Sequence, residues 1–426
     1  MLNVRVEPGQ NLEKGLSASV SAMKSFLKRA EELGFSRISA YPSSESLAAA
    51  LLLFSYLTRR GYTAALSISV RPPALVDEPT VLLGFSSLGF TNETDRETLI
   101  AIATSINEPP PLNATYISVD GSIGAALAMI LRSVNERPLE PELKVLALAS
   151  SYGSRYVDKI GKMMGLDKIY VDTLFDDSAV SLNIVTYVKS YRPHMLDLCG
   201  SLSITLDPFF PGLTGDREGC LRQAAEVGLG PLVNKRASEV SEAEATTIAR
   251  AVINMLRGRV RRQYEAPDYV GGVYVASERL AIVDPREAKG LMEFSLDVGG
   301  LGLAAALFSA FEEEYPQAVA TLPRVASRLS ELVSEPRLSE EGAFLGTKVY
   351  KVRSDLRPPL YLLWRALRLT GLVQDNALLA HEDQRGLRIS LLQASEVLGA
   401  ASLARLASEE GVELEGCSAW LRKRSA

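Results

Sequence analysis

ISAYPSSESLAAALLLFSYLTRRGYTAAL fills Ile38–Leu66, and its reading decides the fold. Ser36–Ala40 is a short apolar run, as a buried strand requires. Leu47–Thr58 is a helix with so little polar surface that it belongs in the interior, and Gly61 stops it. Between them lies a polar turn, Tyr41-Pro42-Ser43-Ser44-Glu45-Ser46. Strand, turn and buried helix make one β-α unit, and repeated β-α units build a parallel sheet. In such sheets the turn after a strand is where catalytic groups are placed. This turn holds one carboxylate and no histidine.

The same alternation extends to both sides. Residues 13–33 carry apolar side chains at helical spacing (Leu16, Val20, Met23, Phe26, Leu27, Ala30), and Gly34 ends that helix. Thr63–Val70, Thr80–Phe85 and Thr115–Val119 read as strands. The turn DGSIG (Asp120–Gly124) and a helix Ala125–Arg132 follow, and further helices are predicted across 142–190. Residues 1–200 are therefore expected to form a first α/β domain. Residues 201–265 read as a helical linker, with amphipathic helices at Asp216–Glu226 and Ser241–Arg257 and a basic end at Arg257, Arg259, Arg261 and Arg262. A second, smaller α/β domain is expected over 266–426. It has strand-like Tyr269–Ala276, helices near 285–311 and 317–333, strands near 348–353, 376–381 and 387–391, and a last helix at 396–409.

Composition narrows the function. With 47% hydrophobic and 23% charged residues, long disorder is not expected. A net charge of −5 argues against coating nucleic acid by charge alone, though it leaves room for a local basic groove. The longest apolar runs, Leu47–Phe54 and Leu301–Phe308, fall far short of the roughly 20 residues that span a bilayer. The polar start MLNVRVEPGQ is no signal peptide, so a cytoplasmic protein is expected. Cys199, Cys220 and Cys417 are far apart and odd in number, and read as buried apolar residues without redox or metal role. The two histidines, His194 and His381, read as solvated or capping groups.

Several motifs have plain explanations. GGLGLAA (Gly299–Ala305) contains GxGxxA, but a dinucleotide fingerprint needs a strand before it. The preceding LMEFSLDV reads as helix, so close packing of small residues is preferred. DGSIG lies where an anion could meet a helix N-terminus, or it is a tight turn that needs glycine. Asp172, Asp176 and Asp177 read as surface carboxylates rather than a metal site. The arginines of 257–262 read as a solvated linker face, with a phosphate- or partner-contacting patch as the other reading.

Three segments carry a resemblance. LDPFFPGLTGDREGCLRQAAEVGLG (Leu206–Gly230), VDPREAKGLMEFSLDVGGLGLAAAL (Val283–Leu307) and GLRISLLQ (Gly386–Gln393) resemble the DHH phosphoesterase superfamily, in particular archaeal RecJ-like proteins. That group includes a GINS-associated nuclease and the eukaryotic replication factor that joins MCM and GINS in the CMG helicase. The resemblance implies a parallel-sheet DHH domain and a DHH-associated domain facing each other across a cleft. In active members the first turn reads His-x-Asp-x-Asp-Gly, and its acids help bind two metal ions. Those ions activate water, which needs several hard oxygen ligands converging. The matching positions here are Tyr41, Ser43, Glu45 and Ser46. The second motif's aspartate falls near Gly84–Phe85, the Asp-His-His near Ala103-Thr104-Ser105, and the fourth motif's aspartate at Gly153-Ser154. Of the expected ligand set only Glu45 is a carboxylate. The family's glycine-rich loop with its histidine falls in Glu410–Trp420, where only Gly411 and Gly416 remain.

The resemblance thus implies a scaffold with an emptied site and no metal or other cofactor. Its implied role is an inactive subunit of the archaeal replicative helicase assembly that binds GINS and, through it, MCM. Single-stranded DNA is a further ligand, with Arg257, Arg259, Arg261 and Arg262, and Arg353, Arg357, Arg365 and Arg368, as contacts. The rival reading is a single-stranded DNA exonuclease or nucleotide phosphodiesterase, using Glu45, Asp95, Asp120 and Asp158. A third is a binder of oligonucleotides in a vestigial cleft. Two surfaces suit a protein partner: the helix in PPLYLLWRALRLTGLV (Pro358–Val373), with Tyr361, Leu362 and Trp364 as anchors or as ordinary core, and the open edge of the first sheet.

Overall fold

The computed structural model describes residues 2–9, 12–73, 78–85, 99–104, 115–134, 138–261, 265–406 and 412–421. The chain folds into two compact units. The first comprises residues 1–158, 163–181 and 299–314; the second comprises 159–162, 182–298 and 315–426.

Unit 1 begins with β1 (Leu2–Val6), α1 (Leu12–Leu33), β2 (Ser36–Ala40), α2 (Ser44–Arg59), β3 (Ala64–Ile68), β4 (Thr80–Leu83), β5 (Leu99–Ala103) and β6 (Thr115–Val119). It continues with α3 (Ile123–Val134), α4 (Pro141–Tyr152) and α5 (Gly165–Phe175). The strands form one sheet in the order β1-β6-β5-β4-β2-β3, and every pair is parallel. Parallel sheets are covered on both faces, so their central strands are apolar throughout. TVLL of β4 and LIAIA of β5 are buried at every residue. The expected interior helix is α2: its buried residues run from Leu47 to Leu53 without a break, and Ser43 caps its start by accepting from the Ser46 N–H.

Unit 2 contains β7 (Asn183–Val188), α6 (Leu198–Ile204), α7 (Arg217–Glu226), α8 (Glu242–Leu256), the short α9 (Ala266–Tyr269), β8 (Val270–Val275) and α10 (Pro285–Val298). The next helix, α11 (Gly300–Ser309), belongs to unit 1, where the Ser55 hydroxyl donates to the Phe308 carbonyl at 2.7 Å. Gly299–Ala305 is thus helix packing and not a fingerprint loop. After it come α12 (Phe311–Ser334), β9 (Leu338–Phe344), β10 (Thr347–Val352), α13 (Leu360–Thr370), β11 (Leu378–Asp383), β12 (Gly386–Ser390), α14 (Leu391–Leu406), β13 (Val412–Glu415) and β14 (Ser418–Leu421). A mixed sheet runs in the order β13-β14-β12-β11-β10-β9, with β10 and β11 parallel and the other pairs antiparallel.

Several expectations need correcting. The compact units do not divide at 200 and 265. Residues 201–265 are not a free linker: Phe210, Leu213, Cys220, Ile248 and Val252 share one buried cluster with Val188 and Val273. Helix was expected up to residue 190, yet Asn183–Val188 is a strand paired antiparallel with β8. Its β-branched NIVTYV suits a pleated surface better than a helix. Cys199 and Cys220 are disulfide-bonded, because α6 and α7 bring their Cα atoms to 5.6 Å; only Cys417 is a free, buried thiol. Both histidines are buried rather than solvated. Burial lowers the His194 pKa, and His381 Nε2 lies 3.1 Å from the Ser354 carbonyl. No helix among the described residues is long and apolar enough to cross a membrane.

For the helix in Pro358–Val373 the sequence leaves two readings, partner anchors or ordinary core. In the structure Tyr361, Leu362 and Trp364 of α13 are at most 2% exposed. Tyr361 and Trp364 stack on each other, and Arg365 and Arg368 lie over their rings. They are core, and they present no apolar patch to a partner.

Candidate functional site: the C-terminal ends of the parallel strands in unit 1

The positions singled out in the sequence meet at one place. Tyr41 follows β2, Gly84 follows β4 and Thr104 follows β5, on three neighbouring strands. The Tyr41 N–H donates to the Leu83 carbonyl and the Gly84 N–H to the Ile102 carbonyl, both at 2.9 Å, so the strand ends are in register. Gly153 and Ser154 follow α4, and Gly153 lies against the start of α2. Open parallel sheets place their ligands at this end. The positions singled out in the sequence, Tyr41, Ser43, Glu45, Gly84, Thr104 and Ser154, thus gather around one end of one sheet.

The space there is filled. A Cβ on Gly84 would stand 1.8 Å from Ser46 Oγ, and the residue has φ +82°, where a side chain is strained. A Cβ on Gly153 would stand 2.6 Å from the Glu45 nitrogen and 2.9 Å from the Ser44 carbonyl carbon. Here the obstacle is backbone and cannot swing aside. Tyr41 packs edge-on against Phe85, with ring centroids 6.0 Å apart, beside Leu82 and Tyr116. Burial raises its hydroxyl pKa to about 12, so it stays neutral. The Ser43 hydroxyl is occupied as the α2 cap, and it donates to Ser46 Oγ at 2.8 Å. Ser154 Oγ donates to the Ser151 carbonyl at 2.7 Å.

Glu45, the one carboxylate of the turn, also has a structural partner. Its Oε1 accepts from the Ile123 N–H, 3.0 Å away, at the first residue of α3. Asp167 of α5 accepts from the neighbouring Ser122 N–H at 2.6 Å. Helix N-termini leave unpartnered N–H groups with partial positive charge. Two carboxylates of the chain itself satisfy them here. The anion-binding possibility of DGSIG is thus met internally, and its glycines are needed for fit: a Cβ on Gly121 would meet Leu166 Cβ at 2.5 Å, and one on Gly124 would meet Ser150 Cβ at 2.4 Å. Ser122 stands within DGSIG, but Asp167 and Ser150 were not legible as site residues: no spacing in the sequence marks them, and only the fold brings them to α3.

Burial pushes the Glu45 pKa up to about 7, with the Ile123 N–H and Arg155 opposing and Asp167 adding. A carboxyl raised in the folded state holds its proton better folded than unfolded. Its effect on stability is therefore constant below the unfolded pKa near 4.5 and becomes unfavourable as pH rises towards 7. Glu45→Gln keeps an acceptor for Ile123 and removes the titration. The variant is expected to match the parent at pH 4.5 and to melt several degrees higher at pH 8. Calorimetric melting at both pH values checks this, and equal shifts at both would show that Glu45 does not titrate there.

Two-metal chemistry does not fit these residues. Divalent ions of that kind require several converging hard oxygens. Among the described residues no three His, Cys, Asp or Glu side chains are grouped to hold a metal ion. Of the alternative set, Asp95 lies outside the described residues, and Asp120 accepts from the Tyr156 hydroxyl at 3.1 Å.

The basic stretch lies in unit 2. Arg257 is exposed at the end of α8. Arg259 donates to the Pro211 carbonyl at 3.3 Å, and Arg261 pairs with Asp375 at 3.0 Å and donates to the Val373 carbonyl. Arg262 lies outside the described residues. Two of the four arginines are thereby engaged within the unit.

No family model and no curated protein matches the sequence. Solved structures do. The crystal structure of CDC45 from Entamoeba histolytica is similar, with a TM-score of 0.59 and 10% identity over 98% of this chain and 95% of that one. An exonuclease RecJ bound to manganese aligns with a TM-score of 0.37 and 13% identity, over 94% of this chain and 89% of that one. A manganese complex of RecJ from Thermus thermophilus aligns with a TM-score of 0.34 and 12% identity, over 95% of this chain and 52% of that one. At such identities the likeness speaks for the fold alone: the fold of this chain is similar to that of the CDC45 structure.

Proposed function

We propose that this chain is a catalytically inactive RecJ-like scaffold subunit of the archaeal replicative helicase assembly, binding GINS and, through it, MCM. The observation that supports inactivity most directly is the engagement of Glu45. Its carboxylate serves the N-terminus of α3, and the neighbouring motif positions, Gly84 and Gly153, have no room for a ligand side chain. A sheet kept whole around such a site fits a protein retained for its surfaces. The fold likeness to CDC45 and the three resembling segments point to replication as the setting.

The partner surface in this reading is not α13, whose aromatic residues are core. The outer strand β3 of the unit 1 sheet remains: among the described residues it pairs on one side only, with β2, and all five of its residues are half-exposed. An open edge of that kind can accept a strand from a partner.

Purified protein mixed with the GINS complex of the same organism is expected to co-elute on size exclusion at micromolar concentration. It is also expected to leave a single-stranded DNA substrate uncut in manganese. Separate elution at low salt removes the partner reading. Manganese-dependent cleavage, lost in Glu45→Gln, would instead establish the nuclease.

A further inference from the structure

The disulfide between Cys199 and Cys220 joins the first turns of α6 and α7 and closes the loop between them. Both cysteines are fully buried, within the apolar cluster that includes Leu202, Phe210 and Ile248. The enclosed loop is tied down at both ends. Asp197 caps α6 and Asp216 caps α7, through the N–H groups of Gly200 at 2.6 Å and Gly219 at 2.7 Å. Asp197 also pairs with Arg217 across the two helix starts at 2.8 Å.

The loop reaches three other helices of unit 2. Asp207 pairs with Lys289 of α10 at 2.9 Å and with Arg365 of α13 at 2.8 Å. Gly215 sits on α12 so closely that a Cβ there would meet the Ala326 carbonyl oxygen at 2.6 Å. The Gly215 N–H donates back to the Ser203 carbonyl at 2.8 Å.

We propose that the Cys199–Cys220 bond is a permanent covalent staple, not a redox switch, and that it holds the Asp207 loop in place against α10, α12 and α13. A bond that closes a loop narrows the unfolded ensemble and so favours the folded state. Thiol–disulfide exchange needs in-line access for the attacking thiolate, and neither cysteine is exposed. The staple therefore resists reductant while the protein is folded. It forms by exchange with a small-molecule or protein disulfide: the two cysteine thiols become one disulfide, and the partner's disulfide is reduced to two thiols.

The test is alkylation followed by intact mass. Protein unfolded without reductant is expected to take one alkyl group, at Cys417, and to take three after reduction. Native protein held in dithiothreitol is expected to keep the bond for hours and to lose it within minutes once unfolded. Protein unfolded, reduced and refolded in reductant carries both thiols without any substitution. It is expected to melt about 5–10 °C lower than the oxidised protein, with faster amide exchange across 205–216 and unchanged exchange in β4 and β5. The Cys199→Ala/Cys220→Ala variant is expected to behave like that reduced protein. Three alkylated cysteines without reductant overturn the bond. Rapid reduction of the native protein overturns the permanent staple in favour of a switch. Equal melting of the oxidised and reduced proteins overturns its stabilising role.

Discussion

Gly153→Asp is expected to lower the melting temperature by roughly 6–12 °C and to create no metal site. The family resemblance implies an aspartate at Gly153-Ser154, so the substitution looks like a repair. The geometry says otherwise. The new Cβ would stand 2.6 Å from the Glu45 nitrogen and 2.9 Å from the Ser44 carbonyl carbon, at the first turn of α2. Backbone cannot rotate away, so α2 must shift, and α2 is buried along nearly its whole length. Overpacking of this kind costs about 3 kcal/mol. Gly84→Asp fails differently. Its Cβ meets the Ser46 hydroxyl, a side chain, so Ser46→Gly relieves the clash while the φ of +82° remains unfavourable. The double variant is expected to recover part of the loss. Calorimetric unfolding and manganese titration read both effects. A Gly153→Asp protein as stable as the parent, or one binding two manganese ions tightly, would mean that the site is open and not closed by its own backbone.

How the site closed was only half legible in the sequence. β2 and α2 could be read because the apolar run Leu47–Leu53 allows no other place than the interior. The residue types at the positions matched by the resemblance were visible, and the alternation of strand and helix set them at one sheet end. What could not be read was the contact of glycine with backbone, since two segments more than a hundred residues apart meet only in the fold. The engagement of Glu45 was equally hidden, because its partner is a main-chain N–H. In unit 2 the errors share a cause. Trp364 and Tyr361 were weighed as anchors because aromatic residues crowd one helix, but the sheet and α14 cover them; the Tyr361 hydroxyl bonds to Glu396. Five charged residues of α10, Arg286, Glu287, Lys289, Glu293 and Asp297, are buried, each facing a charge or polar group from another segment. Periodicity tells polar from apolar, and it cannot tell a solvated charge from a paired one. Cys199 and Cys220 escaped for the same reason: spacing along the chain does not report that two helix starts lie side by side.

Asp207→Asn is expected to cost about 3–5 kcal/mol at pH 7, among the largest effects of any single change in unit 2. Asp207 faces Lys289 at 2.9 Å and Arg365 at 2.8 Å. Glu293 faces the same two cations, with Lys289 at 2.7 Å and Arg365 at 3.9 Å. The parent thus balances two cations with two carboxylates. Asparagine keeps the shape and one acceptor but leaves the buried Lys289 and the partly buried Arg365 to share Glu293. A buried charge without full compensation is what makes such deletions severe, even where the intact pair contributes little net stability. The pH dependence separates this account from simple loss of packing. Burial alone would raise the Asp207 pKa; Arg365 and Lys289 overcome it and hold the carboxyl down near 2. A depressed pKa gives stability that is complete above the unfolded value near 3.8 and is lost as pH falls through 2. The difference between parent and Asp207→Asn, read from urea unfolding, is therefore expected to be constant from pH 7 to about pH 5 and to shrink steadily below pH 4. A difference that stayed constant down to pH 2 would show that Asp207 acts by shape alone and not by charge.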